Sequence, residues 1–96
     1  MVVGRAARRA ERAAKAEAAM GADAASAALD LLELVEFAWH DCYAEITPHE
    51  DVIDDILVCA GGDLARMISS ARLAVEDSRD LRMAADARRA AEGPPV

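Results

Sequence analysis

The sequence is poor in the residues that interrupt helices and in those that build strands or large cores. Its 96 residues include only 5 Gly, 3 Pro, 2 Cys and 3% aromatic residues. Two Cys are far fewer than a secreted disulfide scaffold uses, so we expect reduced, buried thiols. No apolar run approaches the roughly 18 residues of a membrane span, and Met1 is not followed by a signal-type apolar stretch. These absences predict a cytoplasmic, single-domain protein without a membrane segment.

Alanine and arginine dominate what is present. Ala supplies 24 of the 52 hydrophobic residues, so few large side chains remain to fill a core. Ten of the eleven basic residues are Arg, a bias typical of a high-GC bacterium. Strong helix formers throughout the chain and few β-branched residues predict an all-α protein, a small helical bundle.

Few breakers divide the chain, and they predict four helices, at 4–20, 23–46, 48–60 and 63–91. Thr47 is expected to cap the third helix, with Pro48 in its first position and Glu50 completing a capping box. Gly61 and Asp63 predict a tight hairpin between the third and fourth helices. The predicted domain organisation is a basic arm or helix, a helical domain and a short Pro-rich tail, at 1–20, 21–92 and 93–96.

Helical periodicity predicts which faces are buried. On the second helix the core face comprises Ala28, Leu31, Leu32, Val35, Trp39, Cys42 and Ile46. On the third helix it comprises His49, Val52, Ile53, Ile56 and Ala60, opposite Asp51, Asp54 and Asp55. The fourth helix carries a seam close to a seven-residue repeat, formed by Leu64, Met67, Ile68, Ala71, Ala74, Val75, Ser78, Leu81 and Ala85.

Helix length predicts a homodimer. At 1.5 Å per residue the second and fourth predicted helices span roughly 37 and 43 Å, more than the ~30 Å of a compact domain of this size. A second copy that covers the overhanging apolar seams would complete the bundle. The predicted partner interface consists of Leu34, Phe37, Ala71, Ser78 and Leu81. Alternatively, the first helix of the same chain covers Leu34 and Phe37, or both are ordinary exposed apolar residues.

Charge is segregated along the chain. The formal net charge of -7 divides into +3 over residues 1–20, -11 over 21–63 and +1 over 64–96, with no Lys or Arg between Lys15 and Arg66. The basic arm consists of Arg5, Arg8, Arg9, Arg12 and Lys15. It is expected to be frayed or to dock on an acidic surface, either of its own chain or of a second copy. The acidic middle is also a possible surface for a basic protein partner.

Two kinds of site are disfavoured by the pattern. Nucleic-acid binding through the basic arm is an alternative function, but no aromatic residue lies among its cations and the rest of the chain would repel a polyanion. Among the candidate zinc ligands His40, Cys42, His49 and Cys59, the first two point about 200° apart on one helix, and both cysteines are expected to face the core, so no metal or other cofactor is expected.

One enzymatic alternative rests on paired carboxylates. Glu33-Leu-Val-Glu36 and Asp51-Val-Ile-Asp54 resemble the acidic motifs of the all-α MazG-type nucleoside triphosphate pyrophosphohydrolases. The resemblance covers about 22 residues and implies that Glu33, Glu36, Asp51 and Asp54 hold Mg²⁺. The sequence departs from that family because Asp51 stands where the family has Glu and because no Lys lies near either motif.

The sequence therefore favours a protein that acts through protein-protein contacts, as an adaptor, regulator or assembly component, and not as an enzyme. The small hydrolase and the nucleic-acid-binding protein are the alternative functions. The expected contact residues are apolar groups on the second and fourth helices together with the charged surfaces.

Overall fold

The computed structural model describes residues 4–92, and over these residues the chain is all-α, as predicted. It forms five helices and no strand: α1 (Arg5–Met20), α2 (Ala22–Tyr43), α3 (Glu50–Ala60), α4 (Leu64–Glu76) and α5 (Ser78–Glu92). The predicted Pro-rich tail, 93–96, lies outside the described residues. Within 4–92, no helix has both the length and the apolar character required to span a bilayer.

The α3–α4 hairpin is confirmed, whereas the start of α3 differs from the prediction. Gly61 ends α3 in the left-handed conformation at φ 56°, and the Asp63 carboxylate accepts from the N–H of Ala65 at 2.9 Å, capping α4. The cap of α3 is His49, whose Nδ1 accepts from the N–H of Asp51, and not Thr47. Pro48 consequently lies in the preceding loop, where it is buried.

The predicted fourth helix is wrong in one respect, because it is broken at Asp77. There the backbone is extended, with φ -159° and ψ 93°, and the carboxylate caps α5 by accepting from the N–H groups of Arg79 and Asp80. The break replaces a helix of roughly 43 Å by segments of 13 and 15 residues, each about 20 Å long. Helix overhang therefore no longer argues for a second copy.

The core lies between the inner faces of α2, α3 and α4, with α1 and α5 packed against it. Of the large side chains, Leu32, Ile53, Ile56, Met67 and Leu81 are almost fully buried. The predicted α2 core face is confirmed as far as Trp39. Cys42 and Ile46 are exposed instead, and Ile46 no longer lies on the helix because α2 ends at Tyr43 with Ala44 in the left-handed conformation.

A buried acidic residue attaches α5 to α3. Asp55, which periodicity places on the solvent face, has only 2% of its surface exposed. Its carboxylate is 3.0 Å from the guanidinium groups of both Arg82 and Arg89. Arg82 therefore pairs with Asp51 and Asp55, both on α3. The fold of α5 back onto α3 supplies these cations, and a linear helix pattern cannot show it.

Candidate interaction site

The basic arm is an ordered helix that docks on the acidic middle of its own chain. α1 and α2 form an antiparallel hairpin, in which Arg5 lies beside Phe37 and Arg9 beside Asp30. Met20 is the one large apolar side chain that α1 buries in the core, beside the small side chain of Ala16. The docking of α1 consequently depends on charge. The acidic surface that receives it, here called the acidic groove, consists of Asp30, Glu33 and Glu36 of α2 with Glu50 and Asp54 of α3.

Arg12 is at the centre of this contact. Its side chain is 6% exposed, and its guanidinium donates to Glu36 at 3.0 Å, to Glu50 at 3.1 Å and to the hydroxyl of Thr47 at 3.1 Å. Glu36, which is 4% exposed, also accepts from Arg8. One arginine thus connects α1 to α2, to α3 and to the loop between them. Removing either partner of such a buried pair leaves an uncompensated charge.

Weaker ion pairs flank this centre along the length of α1. Arg9 lies 2.8 Å from Asp30, at the surface. Lys15 lies 2.9 Å from Glu50 and 2.8 Å from Asp54 of α3. Because these groups are substantially exposed, each pair adds little stability by itself. Together they match the +3 charge of residues 1–20 to the acidic groove.

The ion pairs also shift acid strengths. Burial is the largest influence on the pKa of Glu36 and raises it, but the hydrogen bonds from Arg8 and Thr47 and the charge of Arg8 outweigh it, so the pKa lies below its ordinary value. The pKa of Glu50 is likewise lowered, with burial opposed by hydrogen bonds from Lys15 and Arg12. Burial lowers the pKa of Lys15, but the hydrogen bonds and charges of Asp54 and Glu50 outweigh it, so this pKa lies above its ordinary value. Glu36 and Glu50 are therefore ionised at neutral pH.

The carboxylates that resemble the MazG-type motifs are bound by cations of the same chain. Glu33 lies 3.5 Å from Arg9, Glu36 binds Arg8 and Arg12, Asp51 lies 3.3 Å from Arg82, and Asp54 lies 2.8 Å from Lys15. In the described part of the chain, no three Asp, Glu, His or Cys side chains meet in an arrangement that could hold a metal ion. The implied Mg²⁺ site is thus not assembled.

The cysteines and histidines do not converge either. Cys42 is exposed, contrary to the prediction that both thiols face the core, and Cys59 is half-buried. Burial, followed by the charge of Asp55, raises the pKa of the Cys59 thiol. His49 is exposed and caps α3, so its expected place on the apolar face is also wrong.

The predicted partner interface is divided by the fold. Leu34 and Phe37 lie one turn apart on the outer face of α2, with 60% and 46% of their surfaces exposed. Ala71 and Leu81 are buried within their own chain, at 4% and 1% exposed, so they are not surface contacts. Ser78 is half-buried at the start of α5. The predicted interface is therefore reduced to the apolar face of α2.

A shallow groove continues this apolar face. Its volume is about 330 Å³, and its lining combines Phe37 and Ile46 with the charged groups of Arg5, Glu36 and Asp41, among others. The guanidinium of Arg5 covers part of the Phe37 ring, with Cζ 4.2 Å from the ring centroid. Here α1 partly covers Phe37, as one sequence alternative expected, while Leu34 stays open. We call Leu34 and Phe37 of α2, together with Ile46 of the loop that follows this helix, the α2 patch.

Sequence reasoning missed the burial of Arg12, Glu36 and Asp55, because charged residues are assigned to the surface by default. One available signal was the absence of Lys and Arg between Lys15 and Arg66. So many carboxylates on two adjacent helices need cations from elsewhere, and α1 and α5 supply them. A linear pattern does not show which carboxylate each cation reaches.

Comparisons with protein-family models, with curated proteins and with solved structures find no match for this chain. Function therefore has to be inferred from the two features described above. These are the α1 helix held in the acidic groove and the exposed apolar residues of the α2 patch.

Proposed function

We propose that the protein acts by binding other protein chains, as an adaptor, regulator or assembly component, and that the α2 patch is its docking surface. The observation that carries the proposal is the exposure of Leu34 and Phe37, which lie one turn apart on the same helix. Neighbouring apolar residues with charged groups at their edge are typical of surfaces that bind protein. A phenyl ring at the centre of such a patch is the kind of residue that supplies binding energy.

The occupant that we propose is a second copy of this chain. A two-fold axis beside α2 would place the patch of one copy against the same patch of the other, which buries the apolar side chains on both sides. The charges also favour this arrangement, since the patch is bordered by both Arg5 and Asp41. A two-fold operation can bring the cation of one copy near the carboxylate of the other.

The cations of α1 support a protein-binding function over nucleic-acid binding. Arg8, Arg9, Arg12 and Lys15 all contact carboxylates of their own chain. Phosphate groups would have to compete with these carboxylates for the same side chains. The pairing of Glu33, Glu36, Asp51 and Asp54 similarly weighs against the Mg²⁺-dependent hydrolase, because a metal ion would have to displace Arg or Lys from each.

Sedimentation equilibrium over a range of protein concentrations tests the docking surface. The wild type is expected to dimerise, and Phe37→Glu is expected to raise the dissociation constant at least about tenfold, because it places a charge in the apolar contact. The matched control is Met83→Glu, which adds the same charge at a side chain 71% exposed on α5. A wild type that remains monomeric at all concentrations and low salt would contradict the self-association.

A further inference from the structure

A single glycine joins α1 to α2. Gly21 has φ 86° and ψ 158°, a combination that is essentially restricted to glycine. No atom of another part of the chain lies within 4 Å of the position that a Cβ would occupy there. The reversal of direction between the two helices therefore requires a backbone conformation that glycine adopts readily, and the space beside this residue is open.

The contacts of α1 are of a kind that allows this helix to dissociate from the acidic groove and to bind there again. Its fully buried apolar residues are Ala16 and Met20, with Ala13 and Ala19 partly buried beside them, and ion pairs with the acidic groove run along the rest of its length. If Gly21 adopted helical dihedral angles, the 16 residues of α1 and the 22 residues of α2 would join into one helix from Arg5 to Tyr43, about 58 Å long. The acidic groove of that chain would then be empty.

We propose that α1 is an exchangeable element, which docks either in the acidic groove of its own chain or in that of a second copy. In the closed hairpin α1 runs antiparallel to α2 of the same chain. In a two-fold dimer of straightened helices, α1 of one copy would likewise run antiparallel to α2 of the other. Each α1 would then meet the same Glu36, Glu50 and Asp54 in the partner that it meets at home. Both grooves of the dimer are filled, so the assembly closes and does not extend into a filament.

The proposal deepens the self-association proposed above and rests on it only in naming a second copy as the partner. It does not require Leu34 or Phe37 to contact the second copy, although the acidic groove and the α2 patch adjoin at Glu36 and Phe37. Exchange instead depends on the charge complementarity between α1 and the groove and on the conformation of Gly21.

Complementary charge reversal tests the exchange directly. One chain carries Arg8→Glu with Arg12→Glu, and the other carries Glu36→Arg with Glu50→Arg. Within either chain α1 then faces like charges, whereas in an exchanged dimer of the two chains each α1 faces opposite charges. Native mass spectrometry of the mixture should show a heterodimer of two 10.2 kDa chains, at least about tenfold tighter than either homodimer. A chain with all four reversals restores the pairs internally and should not bind either one preferentially.

A hinge variant provides a second measurement if the charge-reversed chains fold poorly. Gly21→Ala strains the closed turn and favours the straight helix, and a dimer contains two such hinges. We expect the dissociation constant of the dimer to fall by about a hundredfold relative to the wild type. The matched control is Gly62→Ala in the α3–α4 turn, at φ 81°, where the added Cβ would lie at an ordinary 3.6 Å from the carbonyl oxygen of Ala19. It should lower stability without tightening the dimer.

The outcomes separate exchange from docking at the α2 patch. A heterodimer that persists when Phe37→Glu is added to both reversed chains supports exchange even if patch docking fails. Exchange would be overturned if the mixture gave no heterodimer and if Phe37→Glu, but not Gly21→Ala, changed the dissociation constant of the wild-type dimer. That result would leave the docking surface in place. If the Gly21→Ala chain folds and its dimer has the same dissociation constant as the wild type, the proposed role of Gly21 as a hinge is also overturned.

Discussion

Arg12 of α1 and Glu36 of α2 face each other at 3.0 Å, and the side chain of each is less than a tenth exposed. They are separated by 24 residues in sequence, and each also binds a second ion of opposite charge. A buried charged side chain that binds two counter-ions fixes the orientation of the helices that carry them as well as stabilising the fold, because both counter-ions have to be in place at the same time. This contact determines where α1 lies on the molecule.

Truncation of Glu36 should be costly. Glu36→Ala removes the carboxylate shared by Arg8 and Arg12, and Arg12 would retain Glu50. We expect the free energy of unfolding to fall by about 3 kcal/mol, because Glu36 is a buried counter-ion of two largely buried cations and Arg12 would be left with one carboxylate in place of two. Urea denaturation of wild type and variant measures the difference.

Glu33→Ala is the matched control for that experiment. It lies on the same helix but is 29% exposed and 3.5 Å from Arg9, so we expect a loss of at most about 1 kcal/mol. Equal losses for the two variants would show that the burial of Glu36 carries no additional cost.

Acidification should weaken the docking of α1. The pKa values of Glu36 and Glu50 lie below their ordinary value of 4.5 in the folded chain. Carboxylates of this kind contribute stability that is fully present above the unfolded pKa and is lost as the pH falls through the folded pKa. The free energy of unfolding should therefore decline below about pH 4.5. Urea titrations between pH 7 and pH 3 check this, and Glu36→Ala should have the shallower pH dependence; parallel curves for the two proteins would contradict the assignment.

Truncation of two leucines of α2 should change the free energy of unfolding by very different amounts. Leu32 is 1% exposed and Leu34 is 60% exposed, although they are only two residues apart. Leu32→Ala leaves a cavity in the core and should cost about 2–5 kcal/mol. Leu34→Ala should change stability by no more than about 0.5 kcal/mol. Thermal and urea unfolding of the monomer measure both, and a large loss for Leu34→Ala would mean that this face of α2 is covered.

The cap at Asp77 should contribute measurably to the boundary between α4 and α5. Asp77→Ala removes the acceptor of the N–H groups of Arg79 and Asp80 and should cost about 1 kcal/mol. Asp77→Asn keeps an oxygen acceptor at the same place and should preserve most of the stability. If both variants lose the same amount, charge and not capping is the important property of Asp77.

The sequence was sufficient to predict the helical class and the α3–α4 hairpin, because Gly61 and Asp63 act through local backbone conformation. It did not predict the break at Asp77, since the apolar seam continues from Met67 through Leu81 across it and Asp is not a strong helix breaker. The predicted interface failed at Ala71 and Leu81 for the same reason. Once the long helix is broken, α5 folds back onto α3, and both Ala71 and Leu81 belong to the core of their own chain.

The candidate site was predicted only in outline. Segregated charge left two expectations for the basic arm, a frayed segment or a helix docked on an acidic surface, and the structure shows the second, with that surface on the same chain. That Arg12 is buried, or that Glu36 takes two arginines, depends on the distance between α1, α2 and α3 after folding. Periodicity assigns a charged residue to a face of its own helix but does not show what another helix brings to that face.

The attachment of α1 by one glycine and a set of ion pairs has a consequence for amide hydrogen exchange. A segment with little buried apolar surface opens at lower free energy than the segments that form the core. The amides of α1 should therefore exchange with deuterium through a partial opening that keeps α3 and α4 folded. Added salt, which screens the surface pairs of α1, should accelerate exchange in this helix more than in the other four.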